Sequence, residues 1–152
     1  MGVLPVPGHV ALAGGGDPAA ARSIDDGHTW SMPAPIAPFC VTPHMMALEN
    51  GTVAVVYGRP GVYVRASGDS GHTWTEGLPV VGPPEEELLA DKWWAVPYDG
   101  YSGDKISCGN LGTVATGPDH FLLAYSDFNH HNERGEQCKA VLVREFMVRP
   151  GG

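Results

Sequence analysis

Short apolar runs of strand length recur along this chain, separated by turn-forming residues. The clearest set is "HMMALE" (44 to 49), "TVAVVYG" (52 to 58), "VYVRASG" (62 to 68) and "HTWTEGLPV" (72 to 80). These runs are rich in β-branched and aromatic residues, and Asn50-Gly51 and Pro60-Gly61 supply turn signals between them. They predict a meander of four short antiparallel strands. Upstream, "HVALAGG" (9 to 15), "AARSIDD" (20 to 26) and "HTWSMPA" (28 to 34) match its second, third and fourth strands. Downstream, "LGTVATG" (111 to 117), "HFLLAYSDF" (120 to 128) and "KAVLVREFMV" (139 to 148) match its first, second and third. Ten strands are therefore predicted and the fold class is all-β. The 21 glycines and 14 prolines agree, since they exceed average usage and favour turns over long helices.

One octapeptide pattern, Ser-x-Asp-x-Gly-x-Thr-Trp, joins the third strand to the fourth in two of these units. It appears as "SIDDGHTW" (23 to 30) and "SGDSGHTW" (67 to 74), 44 positions apart. Its chemistry is architectural. Asp25 or Asp69 can accept hydrogen bonds from the N–H groups of its own tight turn, and Gly27 or Gly71 allows a positive φ. Trp30 or Trp74 lays its ring against the sheet while its indole N–H needs a partner. Ser23 and Thr29, or Ser67 and Thr73, complete each turn. Nothing brings a second acid to either copy, so the turns are expected to be structural.

The spacing lies within the ~40 to 50 residues that one four-stranded propeller blade occupies. Residues 8–36, 43–81 and 110–148 then read as two and a half blades of a partial β-propeller, a single domain over 1–152 with a long connection at 82–108. Propellers close with about 4 to 8 blades, and closure protects strand edges. This chain is expected not to close alone: it is the C-terminal part of a longer protein, or copies of it self-associate through open blade edges.

Charge and composition narrow the partners. A formal net charge of −8 with scattered Lys and Arg excludes general nucleic-acid binding, which needs clustered cations. No signal peptide is read at the N-terminus, and no apolar stretch approaches the ~20 residues of a membrane span, so a soluble chain without membrane contact is expected and its compartment is left open. Cys40, Cys108 and Cys138 are widely spaced and odd in number, which argues against a disulfide framework. With His44, His130 and His131 they match no tight ligand motif, so no metal and no cofactor are expected.

The two octapeptides resemble the Asp-box, or bacterial neuraminidase repeat, of sialidase-like six-bladed β-propellers with four-stranded antiparallel blades. The resemblance covers nearly the whole chain. It implies a glycoside hydrolase of the sialidase (exo-α-sialidase, neuraminidase) type with a sialoside or other glycan as partner. Asp-boxes also occur in propellers of other function, so a carbohydrate-binding or protein-interaction propeller without catalysis is the alternative.

In such a fold the site lies at the sheet ends opposite the Asp-boxes. Arg59, in "YGRPGVYV", is similar in placement to one arginine of the triad that clamps the substrate carboxylate, and a planar guanidinium suits that task. A solvated turn arginine is the other reading. Register places Tyr57 opposite Tyr125 and Arg59 opposite Asp127, so Asp127 is expected at the same mouth, to bind hydroxyls or assist proton transfer, or else to cap a turn. His44, beside that mouth, is taken as a further substrate contact. The connection "PPEEELLADKWWAVPYDGYSGDK" brings Glu85, Glu86, Glu87, Trp93, Trp94, Asp99 and Tyr101 there. Its aromatic and acidic residues suit a sugar pocket, while the three glutamates also suit the start of a short solvated helix.

Sialidases use a tyrosine nucleophile paired with a glutamate, because a neutral phenol is not repelled by the sialate carboxylate. At the position where the resemblance places that tyrosine, in "SCGNLGTV", this chain has Asn110. Tyr101 is the candidate to replace it, with Asn110 as a substrate contact. The acid/base aspartate and the first arginine come from N-terminal blades in that family, so the isolated chain is expected to be inactive.

Overall fold

The computed structural model describes residues 9–13, 18–39, 41–58, 61–90 and 111–149. Ten strands and one short helix lie among them. β1 (His9–Ala13), β2 (Ala19–Ser23) and β3 (Ala34–Pro35) form sheet 1. Sheet 2 is β4 (Val41–Ala47), β5 (Val53–Gly58), β6 (Val62–Ser67) and β7 (Leu78–Val81) in that order. After it come helix α1 (Glu85–Ala90) and sheet 3, formed by β8 (Gly112–Ala115), β9 (His120–His131) and β10 (Gln137–Met147). Every pairing is antiparallel and sequential, and none of these sheets closes on itself.

Sheet 2 is covered on both faces. Val53–Gly58 is buried without a break, although a strand with one wet face would alternate. The side chains separate by parity. Val55, Tyr57 and Tyr63 pack with Ala20, Ile36, Ala37 and Phe39, which belong to sheet 1 and the segment after it. Ala54, Val56, Val62 and Val64 pack with Leu111, Phe121, Leu123 and Tyr125 of sheet 3 and its approach. On the first face the Tyr57 and Tyr63 rings stack at 5.8 Å and Phe39 meets the Tyr63 ring edge-on at 5.5 Å. Polar bonds tie the same neighbours. Arg22 donates Nη1 to the Gly71 carbonyl at 2.9 Å, and Asn50 donates Nδ2 to the Val148 carbonyl at 2.9 Å.

Both octapeptides fold alike. Ser23 Oγ accepts from the Gly27 N–H at 2.8 Å and donates to Asp25 Oδ1 at 2.8 Å. The Asp25 carboxylate takes the Thr29 N–H at 2.8 Å on one oxygen and the Thr29 hydroxyl at 2.6 Å on the other. In the second copy Ser67, Asp69, Gly71 and Thr73 repeat these bonds at 2.7, 2.7, 2.9 and 2.6 Å. Asp26 and Gly27 have φ of 55° and 85°, Ser70 and Gly71 58° and 81°, so both central turn positions are left-handed. The first position is held by a non-glycine residue in each copy. Trp30 donates its indole N–H to the Gly27 carbonyl at 3.0 Å, whereas the Trp74 indole N–H has no partner among the described residues.

The turn also moves the fourth strands. They were expected at 28–34 and 72–80, but the ladder resumes only at Ala34 and Leu78. The Thr29 and Thr73 N–H groups are engaged by their own aspartates and so are withdrawn from pairing. The next residues substitute for a ladder. Ser31 Oγ accepts the Arg22 N–H at 3.0 Å, and Thr75 Oγ1 accepts the Ala66 N–H at 3.0 Å.

The bonds from Thr29 and Ser23 hold Asp25 well below the usual carboxylate range, at about 2, and the matching bonds from Thr73 and Ser67 hold Asp69 lower still. A carboxylate whose folded pKa is depressed contributes stability that is complete above its ordinary value near 3.8 and lost as pH falls through the folded value. Denaturant melts between pH 5 and pH 2 are therefore expected to show a steep loss of stability in the native chain. The Asp25→Asn/Asp69→Asn double variant starts lower at pH 7 and shows a flatter acid limb; parallel profiles would mean that the carboxylates do not hold the turns.

Candidate functional site

The described residues bring together a polar cluster in which Glu85 is the one member expected at a site, and it meets Tyr57 and Arg65 rather than a sugar pocket. Tyr57 ends β5, and Arg65 lies on the neighbouring strand β6 with its side chain on the same face. Glu85 opens α1, delivered there by the Gly82-Pro83-Pro84 bend, and the Tyr63 hydroxyl anchors that bend by donating to the Pro83 carbonyl at 2.7 Å. The Tyr57 hydroxyl donates to Glu85 Oε1 in a very short bond and accepts from Arg65 Nε at 2.9 Å. Arg65 Nη2 meets Glu85 Oε2 at 2.5 Å. All three groups thus bond to one another in a closed cycle.

The backbone leaves room for it at Gly77. A Cβ there would stand 2.3 to 2.6 Å from the Glu85 carboxyl group, so the carboxylate occupies the space that a side chain would need. Tyr57 is completely buried and Glu85 is 7% exposed. Burial pushes the Tyr57 phenol above its ordinary range and the bond to Glu85 adds to the shift, with Arg65 opposing. For Arg65 burial works against the charge, but the hydrogen bonds to Tyr57 and Glu85 and the charge of Glu85 outweigh it and raise its pKa. Burial also raises Tyr63, with the charges of Glu85 and Glu87 contributing. The cluster holds a neutral phenol between fixed opposite charges, an arrangement that stabilises a buried ion pair and does not generate a phenolate.

Arg65 and Glu85 form part of the floor of an open cleft of about 940 Å³ whose walls include Pro38, Glu76, Glu86 and Leu89. Thr75, Glu76 and Gly77 follow directly on the second octapeptide, so one wall of the cleft lies beside that turn. Its exposed groups are carboxylates and an apolar wall, suited to hydroxyl-bearing or cationic ligands more than to anions.

Of the expected site residues, Arg59, Trp93, Trp94, Asp99, Tyr101 and Asn110 lie outside the described residues. His44 is exposed within β4, opposite Val56. Asp127 is not in a turn, because β9 runs on to His131 and Asp127 pairs with Ala140 inside the hairpin. The same extension moves His130 and His131 from the expected loop into the ladder, opposite Cys138 and Gln137. The turn itself lies at Asn132–Gly135, where the Asn132 side chain accepts the Arg134 and Glu136 N–H groups. No group of three or more candidate metal ligands is found among the described residues. The expected short helix is present, but its first glutamate is buried while Glu86 and Glu87 are exposed. One signal could have revealed the cluster: Arg65 breaks an otherwise apolar strand at an inward-facing position, and a charge there requires a partner.

No family model matches the chain, and no curated protein matches it.

Replacing Tyr57 by Phe keeps the ring and removes both hydroxyl bonds, at an expected cost of about 1 to 2 kcal/mol. Glu85→Ala leaves the Arg65 charge without its counter-ion and the Tyr57 O–H without its acceptor, and is expected to cost about 2 to 4 kcal/mol. Urea unfolding of the two variants measures both costs, and native stability in Glu85→Ala would show that the cluster holds nothing.

Proposed function

We propose that this chain forms consecutive blades of a sialidase-like β-propeller glycoside hydrolase, binding its glycan at the sheet ends opposite the Asp-boxes. The observation that carries the reading is the recurrence of one hydrogen-bonded octapeptide turn at the same corner of two adjacent sheets that pack face to face. The outward face of sheet 3 supports it. By register Val114, Val141 and Val143 correspond to Met46, Val62 and Val64, which in sheet 2 pack toward the next sheet, yet they are 57%, 77% and 61% exposed. A propeller places a further sheet against such a face.

Within this reading Arg59 clamps the sugar carboxylate, Trp93 and Trp94 stack on sugar faces, and Asp99, Asn110 and His44 contact hydroxyls. Asp127 and Tyr101 serve the reaction in the complete enzyme. Tyr57, Tyr63 and Tyr125 are each wholly buried, so no tyrosine among the described residues is open to attack a glycosidic carbon.

Two measurements test the reading. The purified chain is expected to release no fluorophore from a fluorogenic sialoside. In saturation-transfer NMR it is expected to bind sialyllactose in preference to lactose, with a loss of about tenfold or more in Arg59→Ala, the scale of one charge-assisted pair. Equal binding of both sugars, unaffected by Arg59→Ala, would overturn the proposal.

A further inference from the structure

Sheets 2 and 3 superimpose by register, and the Tyr57–Arg65 pair has a counterpart. Val55 pairs with Arg65 as Leu123 pairs with Arg144, and Tyr57 lies two residues beyond Val55 as Tyr125 lies beyond Leu123. The sequences agree, with "VYVR" (62 to 65) in β6 and "VLVR" (141 to 144) in β10. Tyr125 is as completely buried as Tyr57, but its hydroxyl has no hydrogen-bond partner among the described residues. The Arg144 guanidinium lies over the Tyr125 ring, 5.9 Å from its centroid, and donates Nη1 to the Val80 carbonyl at 3.2 Å. Burial raises the Tyr125 pKa and the charge of Asp127, two residues along the same strand face, adds to it, while the charge of Arg144 and its approach to the hydroxyl as a donor oppose them.

Two elements that complete the first seat have no counterpart among the described residues around the second. In sheet 2 the far edge of β6 is paired with β7, and the chain leaving β7 delivers Glu85. In sheet 3 β10 is the outer strand and no described strand pairs with its far edge. A buried phenol O–H without an acceptor is destabilising until one arrives.

We infer that Tyr125 and Arg144 form a second carboxylate seat, filled when an extended, glutamate-bearing segment of a partner protein pairs with the edge of β10 that no described strand occupies. The backbone ladder supplies affinity, as in other strand-addition complexes, and the carboxylate supplies the register. The ion pair with Arg144 and the bond from the Tyr125 hydroxyl are those that Glu85 makes with Arg65 and Tyr57. The inference rests on the internal repeat and is independent of the glycosidase reading.

The probe is a labelled peptide of residues 76–90, "EGLPVVGPPEEELLA", which carries the β7 strand and Glu85 and is offered in trans to the intact chain. Fluorescence anisotropy is expected to show saturable binding. Binding falls by about tenfold or more when the chain carries Arg144→Ala or the peptide carries Glu85→Gln, and the two changes together cost no more than either alone. Tyr125→Phe weakens binding while leaving the free chain as stable as before or more so, the opposite of Tyr57→Phe. No saturable binding, or binding indifferent to both Arg144 and the peptide glutamate, overturns the inference.

Discussion

A β-strand buried on both faces requires cover on each side of it, and β5 imposes that demand on the rest of the molecule. From Val53 to Gly58 no residue reaches solvent, so sheet 1 and sheet 3 are each required to cover one parity of its side chains. The demand passes along the stack. Ala20 and Phe39 are buried because Val55 and Tyr57 need cover, and Phe121, Leu123 and Tyr125 are buried because Ala54 and Val56 do. Area removed from water contributes about 25 cal/mol per Å², so these two contacts supply the dominant favourable term in folding.

Two kinds of charged group make that stack compatible with tight corners and a dry interior. Asp25 and Asp69 sit at the surface and hold their turns with acceptor oxygens, so their carboxylates titrate far below the usual range without being buried. Glu85 and Arg65 solve the opposite problem inside. Each is a charge that burial would penalise, and each is satisfied by the other and by the Tyr57 hydroxyl. The Tyr–Glu pair expected from the family resemblance therefore has a chemical likeness here, but it is sealed, and its role is to fasten α1 to sheet 2.

Much of the architecture was legible because it depends on local chemistry. The β-branched and aromatic runs in "TVAVVYG" and "VYVRASG" located β5 and β6 nearly to the residue, and Asn50-Gly51 marked the turn before β5. The octapeptides announced their turns because Ser, Asp, Gly, Thr and Trp at those offsets bond within one short segment. Less legible was where the ladder resumes after each turn, since that depends on which N–H groups the aspartate has already taken. The β9–β10 hairpin extended past Phe128 because His130 and His131 found ladder partners on β10, which their polarity did not suggest.

The sequence by itself determined the strand class, the three-unit repeat and both corner turns, all set by interactions spanning fewer than about ten residues or by periodicity alone. Only the tertiary structure decided which face of each strand meets which neighbour, and that Glu85, some twenty residues beyond Arg65, would fold back beneath Gly77 to meet it. Long-range pairing of this kind is selected by the space and charge that the assembled sheets leave open. For the same reason the likeness of Tyr125 and Arg144 to an occupied seat became visible only once the two registers could be laid side by side.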